Sequence, residues 1–406
     1  MIVVQKYGGS SVADTDRIVR VAERIVQAKR AGHEVVVVVS AMGKTTDHLH
    51  AQARAISAIP PGRELDMLLT AGERISMALL AMAIHEHGLS ARSLTGSQAG
   101  IITDAVHGKA RIIDITPGRI TEALADGDVV IVAGFQGVSR ASKDVTTMGR
   151  GASDTTAVAL AAALQAEVCE IYTDVDGVYT ADPRIVADAR KLDRVTHHEM
   201  LELAANGAKV LAVRSVEYAR NHGVTIHVRS SFSYAEGTWV VEQEAHMEQA
   251  IISGVAHERG EGKLVIRQVP DKPGVAARIF TLLAGNSINV DMIVQNVSEE
   301  GTTDISCTLP LEDGPRALQL LEGLQEEIGA VAIDLDPEVA KVSLVGAGMK
   351  THPGVAASMF AALSEAGVNI EMISTSTIRI SVVIRATDVE AAVRAVHERF
   401  RLGEVA

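Results

Sequence analysis

The chain has 406 residues, 47% of them hydrophobic, which is enough to fill two or three domain cores and excludes a disordered or fibrous protein. Aromatic residues make up only 3%, so the cores must be packed from Val, Ile, Leu and Ala, the composition of helices covering a mostly parallel sheet. A formal net charge of −13, with no long Lys/Arg block, excludes nucleic acid as a partner.

In chain order, residues 2–5 read as a strand, followed by the turn Lys6-Tyr7-Gly8-Gly9-Ser10-Ser11. Ile18, Val21, Ala22, Ile25 and Val26 then recur at helical spacing up to Gly32. The run 35–39 is apolar on both faces, as a central parallel strand must be, and ends in the polar loop 40–47. Further strands are expected at 129–133, 168–172 and 224–228, separated by helical patterns such as 155–165 and 198–205. One open α/β domain over about residues 1–245 is predicted. Beyond it the chain repeats itself at an offset of 80: Pro273-Gly274-Val275-Ala276-Ala277 returns as Pro353-Gly354-Val355-Ala356-Ala357, and Ile288 to Ile293 as Val368 to Ile373. Each copy reads strand, Pro-Gly turn, helix, strand, the front half of a ferredoxin-like α+β unit. Cys169 and Cys307 stand alone, which predicts two buried thiols in a reducing, cytoplasmic compartment. The chain opens on a strand-like run without a signal-peptide pattern, and no stretch reads as a membrane span, so neither export nor membrane insertion is expected.

Three glycine-bearing loops carry the chemistry. In the first, Gly8 and Gly9 let backbone N–H groups approach an anion while Lys6 reaches a phosphate oxygen, although a lone Lys-x-Gly-Gly is more often a tight turn with an exposed lysine. In the second, Thr147-Met148-Gly149-Arg150-Gly151-Ala152-Ser153-Asp154 opens an Ala-rich helix. Capping accounts for Ser153 or Asp154 but not for an arginine between two glycines, which suits bidentate recognition of a carboxylate or phosphate. The third, from Tyr172 to Arg184, lacks the ligand spacing and closing glutamate of a calcium loop. Gly43-Lys44-Thr45 is not a P-loop, because Val38 stands where its first glycine belongs, and Asp154 breaks the dinucleotide fingerprint that starts at Gly149. His85, His87, His197 and His198 read as surface or satisfied histidines, and no metal site is assigned.

Together these loops resemble the signature segments of the aspartate kinases, and the Pro-Gly repeats resemble ACT domains; the likeness spans essentially the whole chain. It implies an amino-acid-kinase αβα sandwich at 1–245, a first ACT domain at 264–339, and a second, discontinuous one from 250–262 and 341–406. The implied reaction is transfer of the γ-phosphoryl of ATP, with Mg2+, to the side-chain carboxylate of L-aspartate, giving 4-phospho-L-aspartate on the route to lysine, threonine and methionine. By the same resemblance Lys6 neutralises the transferring phosphoryl, Asp154 orients Lys6, and Tyr7, Gly8, Gly9, Ser10 and Ser40 lie along the phosphates. Thr46, Glu73, Arg150, Gly151 and Ser153 take aspartate, with Glu73 on its ammonium group. Thr173, Asp174, Tyr179, Thr180, Ala181, Asp182, Pro183, Arg184 and Lys209 form the nucleotide side. Ala152 departs from the family, which usually has glycine there, and the extra methyl is expected to be tolerated unless that residue needs positive φ or packs directly against the substrate.

Lysine, threonine or both are the effectors the resemblance implies. Asp271, Gly274, Ala276, Asn289, Val290, Asp291 and Gln295 of the first copy are the expected contacts, and Thr351, Val355, Asn369 and Ile370 are supplied across a dimer interface. A homo-oligomer through the ACT domains is expected, with Met247 at the position where some relatives start a separate regulatory chain. Rival readings are a kinase for glutamate or N-acetylglutamate, and a catalytically silent amino-acid sensor.

Overall fold

Five consecutive valines, residues 35–39, are wholly buried at the centre of an eight-stranded sheet, because both faces of that sheet are covered. The computed structural model describes residues 1–242, 252–296, 301–346, 349, 352 and 354–404. The sheet runs in the order Arg194–Thr196, Thr238–Val241, Ile226–Ser230, Val168–Thr173, Ile2–Tyr7, Glu34–Val39, Val129–Ala133, Ala91–Leu94. Its pairings are parallel except that between Ile226–Ser230 and Thr238–Val241. Helices Thr15–Arg30 and Ala71–Glu86 bury Ile18, Val21, Ile25, Leu80 and Ile84 against Val35, Val37 and Val39. Val36 and Val38 point to the opposite face, where helix Ala152–Ala163 packs. A four-stranded sheet, Ile112–Ile115, Ile101–Thr103, Gln136–Ser139, Val145–Thr147, delivers the chain to the loop before that helix.

The chain divides into two units, and the division does not fall at a single point near 245. The first unit holds Met1–Val178, Lys191–Ala204 and Lys209–Ala245; the second holds Tyr179–Arg190, Ala205–Ala208 and His246–Ala406. The reason is apolar burial: Ala181 and Val186, with Ile185 and Ala189, pack into the second unit's core beside Val255, Leu344 and Val393.

In the second unit a six-stranded sheet runs Asp291–Gln295, Thr302–Pro310, Ile252–Pro270, Ala332–Gly346, Arg379–Arg385, Met372–Thr375. Ile252 to Glu258 pairs antiparallel with Gly346 to Lys341. The repeat seen in sequence returns in the backbone: helices Val275–Gly285 and Val355–Glu365 each follow a left-handed glycine, Gly274 at φ 101° and Gly354 at φ 104°.

Cys169 and Cys307 are buried free thiols, as expected. One expectation needs correction. Gly62–Glu86, in 25 residues, is long and apolar enough to cross a membrane by composition, and half of its apolar window is buried. It carries the buried Asp66 and Glu73 into the first unit, which is the behaviour of a core helix.

Candidate active site

Lys6 lies one residue before the end of the first strand, paired with Val38 on one side and Ile171 on the other. The turn that follows is pinned by backbone bonds: the Gly8 N–H donates to Tyr172 O at 3.3 Å, and the Gly43 N–H to Gly9 O at 3.0 Å. A Cβ on Gly9 would come within 2.9 Å of Ala41 O, so only glycine lets the 6–11 and 40–45 loops approach this closely.

The Lys6 ammonium meets Asp154 Oδ1 at 2.6 Å, both side chains about nine-tenths buried. Asp154 stands in the first turn of helix Ala152–Ala163, and its Oδ2 accepts from the Ala212 N–H at 3.3 Å. The carboxylate is favoured at the positive end of the helix and fixes the lysine head there. Gly151, at φ 74°, caps this helix in the left-handed region, and a Cβ there would lie 2.8 Å from the Ala212 Cβ. Ala152 begins the helix at negative φ, 2% exposed, so its methyl needs no left-handed backbone, and it lines the cavity at Arg150.

Arg150, Gly151, Asp154, Lys209 and Arg214 line one cavity of about 480 Å3. The helix start thus carries an arginine facing this cavity and, one turn on, the carboxylate that holds Lys6. The exposed Arg150 guanidinium pairs with Asp47 Oδ1 at 3.1 Å, on helix Thr45–Ile56 beside Thr46. Asp47 falls in the stretch 40–47 read from sequence as a polar loop, whereas the structure begins helix Thr45–Ile56 there, with Asp47 in its first turn. Ser153 is buried next to Gly134.

Glu73 is 3% exposed in the first turn of its helix. Oε1 accepts from the Ala41 N–H at 3.1 Å, while Oε2 is buried with no hydrogen-bond partner among the described residues. Burial raises the carboxyl to about 7. A carboxylate with one unused oxygen suits an ammonium group. The same helix holds Ser40 in place, the Ser76 hydroxyl donating to Ser40 O at 2.8 Å.

Tyr7 ends the first strand. Its ring is fully buried, stacked on Tyr172 at 4.7 Å, and its hydroxyl donates to Gln5 Oε1, so only its backbone belongs to the phosphate turn. Of the expected nucleotide residues, Thr173, Asp174 and Lys209 lie in the first unit, and the Thr173 hydroxyl donates to Asp174. Tyr179, Thr180, Ala181, Asp182, Pro183 and Arg184 belong to the second unit. There Thr180 is buried, its hydroxyl 3.0 Å from His397 Nε2, and Arg184 is engaged with Asp182.

In the second unit Asp271, Gly274, Asn289 and Gln295 are exposed, and Ala276, Val290, Val355 and Ile370 are half-buried, as is Asp291. Asp291 Oδ2 receives the buried Lys341 ammonium at 2.8 Å. Asn369 is exposed at the equivalent position of the second copy, while Thr351 and Met247 lie outside the described residues.

Residues 1–230 match the model of the amino acid kinase family, and 264–323 with 342–400 match an ACT domain. An aspartokinase of Mycolicibacterium smegmatis is 61% identical over 99% of this chain and 96% of its own. E. coli aspartokinase III in complex with aspartate and ADP superposes with a TM-score of 0.83 at 26% identity, covering 99% of this chain and 100% of that one. The same enzyme in complex with lysine and aspartate gives a TM-score of 0.74 at 26% identity, over 98% and 99% of the two chains.

Proposed function

Since this chain belongs to the amino acid kinase family and, along its full length, to the aspartokinases, we propose that the cavity at Arg150 takes L-aspartate while Lys6 faces the phosphates of ATP. The reaction moves the γ-phosphoryl of ATP to the aspartate side-chain carboxylate. The nucleophile is already an anion, so no general base is needed. The task is to hold two anionic reactants together while charge spreads over the phosphoryl oxygens. Lys6 supplies the positive charge, with the amides of Gly8 and Gly9 and the Ser10 hydroxyl alongside, and Asp154 keeps its ammonium aimed. Arg150, with Gly151 and Ser153 nearby in the same loop, clamps a substrate carboxylate. Glu73 offers its free oxygen to the α-ammonium, and Thr46 completes the acceptor side. Thr173, Asp174 and Lys209 serve the nucleotide.

ATP would enter as its magnesium complex, the ion offsetting negative charge on the phosphates. The observation that carries the reading is the buried Lys6–Asp154 pair on the helix whose start bears Arg150. Measuring ADP release with L-aspartate, L-glutamate and N-acetylglutamate tests it: turnover restricted to aspartate is expected, and preference for either rival would overturn it. Retention of Lys6, Arg150 and Asp154 disfavours a silent sensor.

The catalytic domain is assigned to about 1–245, the first ACT domain to 264–339 and the second to 250–262 with 341–406, the strand pairing from Ile252 to Glu258 supporting the discontinuity. E. coli aspartokinase III binds lysine. Lysine, threonine or both accordingly regulate this chain at Asp271, Gly274, Ala276, Asn289, Val290, Asp291 and Gln295. Thr351, Val355, Asn369 and Ile370 of a second copy complete the site in a cytoplasmic homo-oligomer. Inhibition assays with each amino acid, singly and together, test this, and no response at saturation would end it.

A further inference from the structure

We infer that Asp66 and Arg214 are positioning residues, which fix the backbone before Arg150 so that its guanidinium meets the acceptor's carboxylate; this rests on the clamp reading of Arg150. Asp66, on helix Gly62–Leu69, is 1% exposed. Its carboxylate accepts the Thr147 hydroxyl at 2.5 Å and the Gly108 N–H at 3.1 Å, and lies 2.7 Å from His107 Nδ1. Arg214, on helix Val213–His222, donates to Met148 O at 2.8 Å through one terminal nitrogen and to Ala110 O at 3.1 Å through the other. Between these two grips the backbone adds its own ties, Ala110 N–H to Thr147 O and Met148 N–H to Phe135 O, both at 3.0 Å.

The two residues before Gly149-Arg150 are therefore held from both sides, while the Arg150 side chain stays 87% exposed, its guanidinium paired with Asp47 at the surface, where a ligand carboxylate can exchange for that partner. Burying a carboxylate at this position is costly, and apolar residues could have packed the two loops together; what the charges add is direction. Although Arg214 lines the same cavity as Arg150, both its terminal nitrogens are engaged by carbonyls, so it acts through the loop. Nothing in the local sequence marks either residue. Asp66 reaches Thr147 across 81 positions, and Arg214 reaches Met148 across 66.

Arg214→Lys, which cannot reach both carbonyls, and Thr147→Val, which removes the hydroxyl from Asp66, are compared with Arg150→Ala and with the two double variants. KM for L-aspartate, KM for ATP, kcat and thermal midpoint are read for each. Both conservative variants should raise KM for aspartate about tenfold, the scale of one hydrogen bond to a charged group, leaving KM for ATP within about twofold. In the Arg150→Ala background neither should add a further rise. Unchanged aspartate KM, equal shifts for both substrates, or a full additional rise in the Arg150→Ala background would each overturn the inference. If Arg150→Ala raises aspartate KM while the two conservative variants do not, the positioning role alone fails. If Arg150→Ala itself has no effect on aspartate KM, the clamp reading falls and this inference with it.

Discussion

Replacing Glu73 by glutamine keeps the side chain's shape and its bond from the Ala41 N–H but removes a buried charge. The rise of this carboxyl from 4.5 to about 7, caused by desolvation, corresponds to about 3 kcal/mol of extra cost for the charged form in the folded protein. The stabilising contribution of neutral Glu73 is complete below pH 4.5 and is lost as pH rises through about 7. E73Q and the natural protein should therefore be equally stable near pH 4.5, and E73Q more stable by up to about 3 kcal/mol at pH 8. Aspartate binding should move the opposite way. Only the carboxylate pairs with the α-ammonium, so kcat/KM for aspartate should climb with pH through about 7 in the natural enzyme, while E73Q loses that step and binds aspartate weakly. Urea unfolding at pH 5 and pH 8, together with pH profiles of both proteins, measures the two effects. A stability difference independent of pH, or the same pH–rate step in E73Q, would refute the reasoning.

Lys6→Ala should lower kcat by about 10²–10³-fold with the fold retained, since it removes one preorganised cationic donor, and near-normal turnover would show the phosphate role to be misassigned. Gly151→Ala places a Cβ in the left-handed region 2.8 Å from Ala212 Cβ; a loss of about 1–3 kcal/mol by thermal or urea unfolding is expected, with weakened aspartate affinity. Burial raises the Cys307 thiol to about 12 and holds Cys169 well above its ordinary value, so neither should react with an aromatic disulfide at pH 8 until the protein is unfolded.

Much of the fold is written locally. The valine run at 35–39 announces a strand buried on both faces, and the offset of 80 reappears as two left-handed glycines opening equivalent helices. The site is legible where a loop carries its own chemistry, as at Gly149 to Asp154. The position of Tyr7 was also within reach, because alternation along the first strand puts Gln5 and Tyr7 on one face and Lys6 on the other. Burial of Thr180 against His397 was not, since that contact joins residues 217 positions apart and depends on the second unit's core. The pairing of Lys6 with Asp154 came from resemblance, as no periodicity links a strand end to a helix start so far along the chain.

The central claim is that the Lys6 and Arg150 loops form one phosphoryl-transfer site for the aspartate side chain. Incubating the protein with ATP, magnesium and L-aspartate in the presence of hydroxylamine traps an acyl phosphate as its hydroxamate. The account predicts the side-chain hydroxamate of aspartate in step with ADP, and its loss in both Lys6→Ala and Arg150→Ala. ADP formed without hydroxamate, or hydroxamate formed undiminished by either substitution, would contradict it.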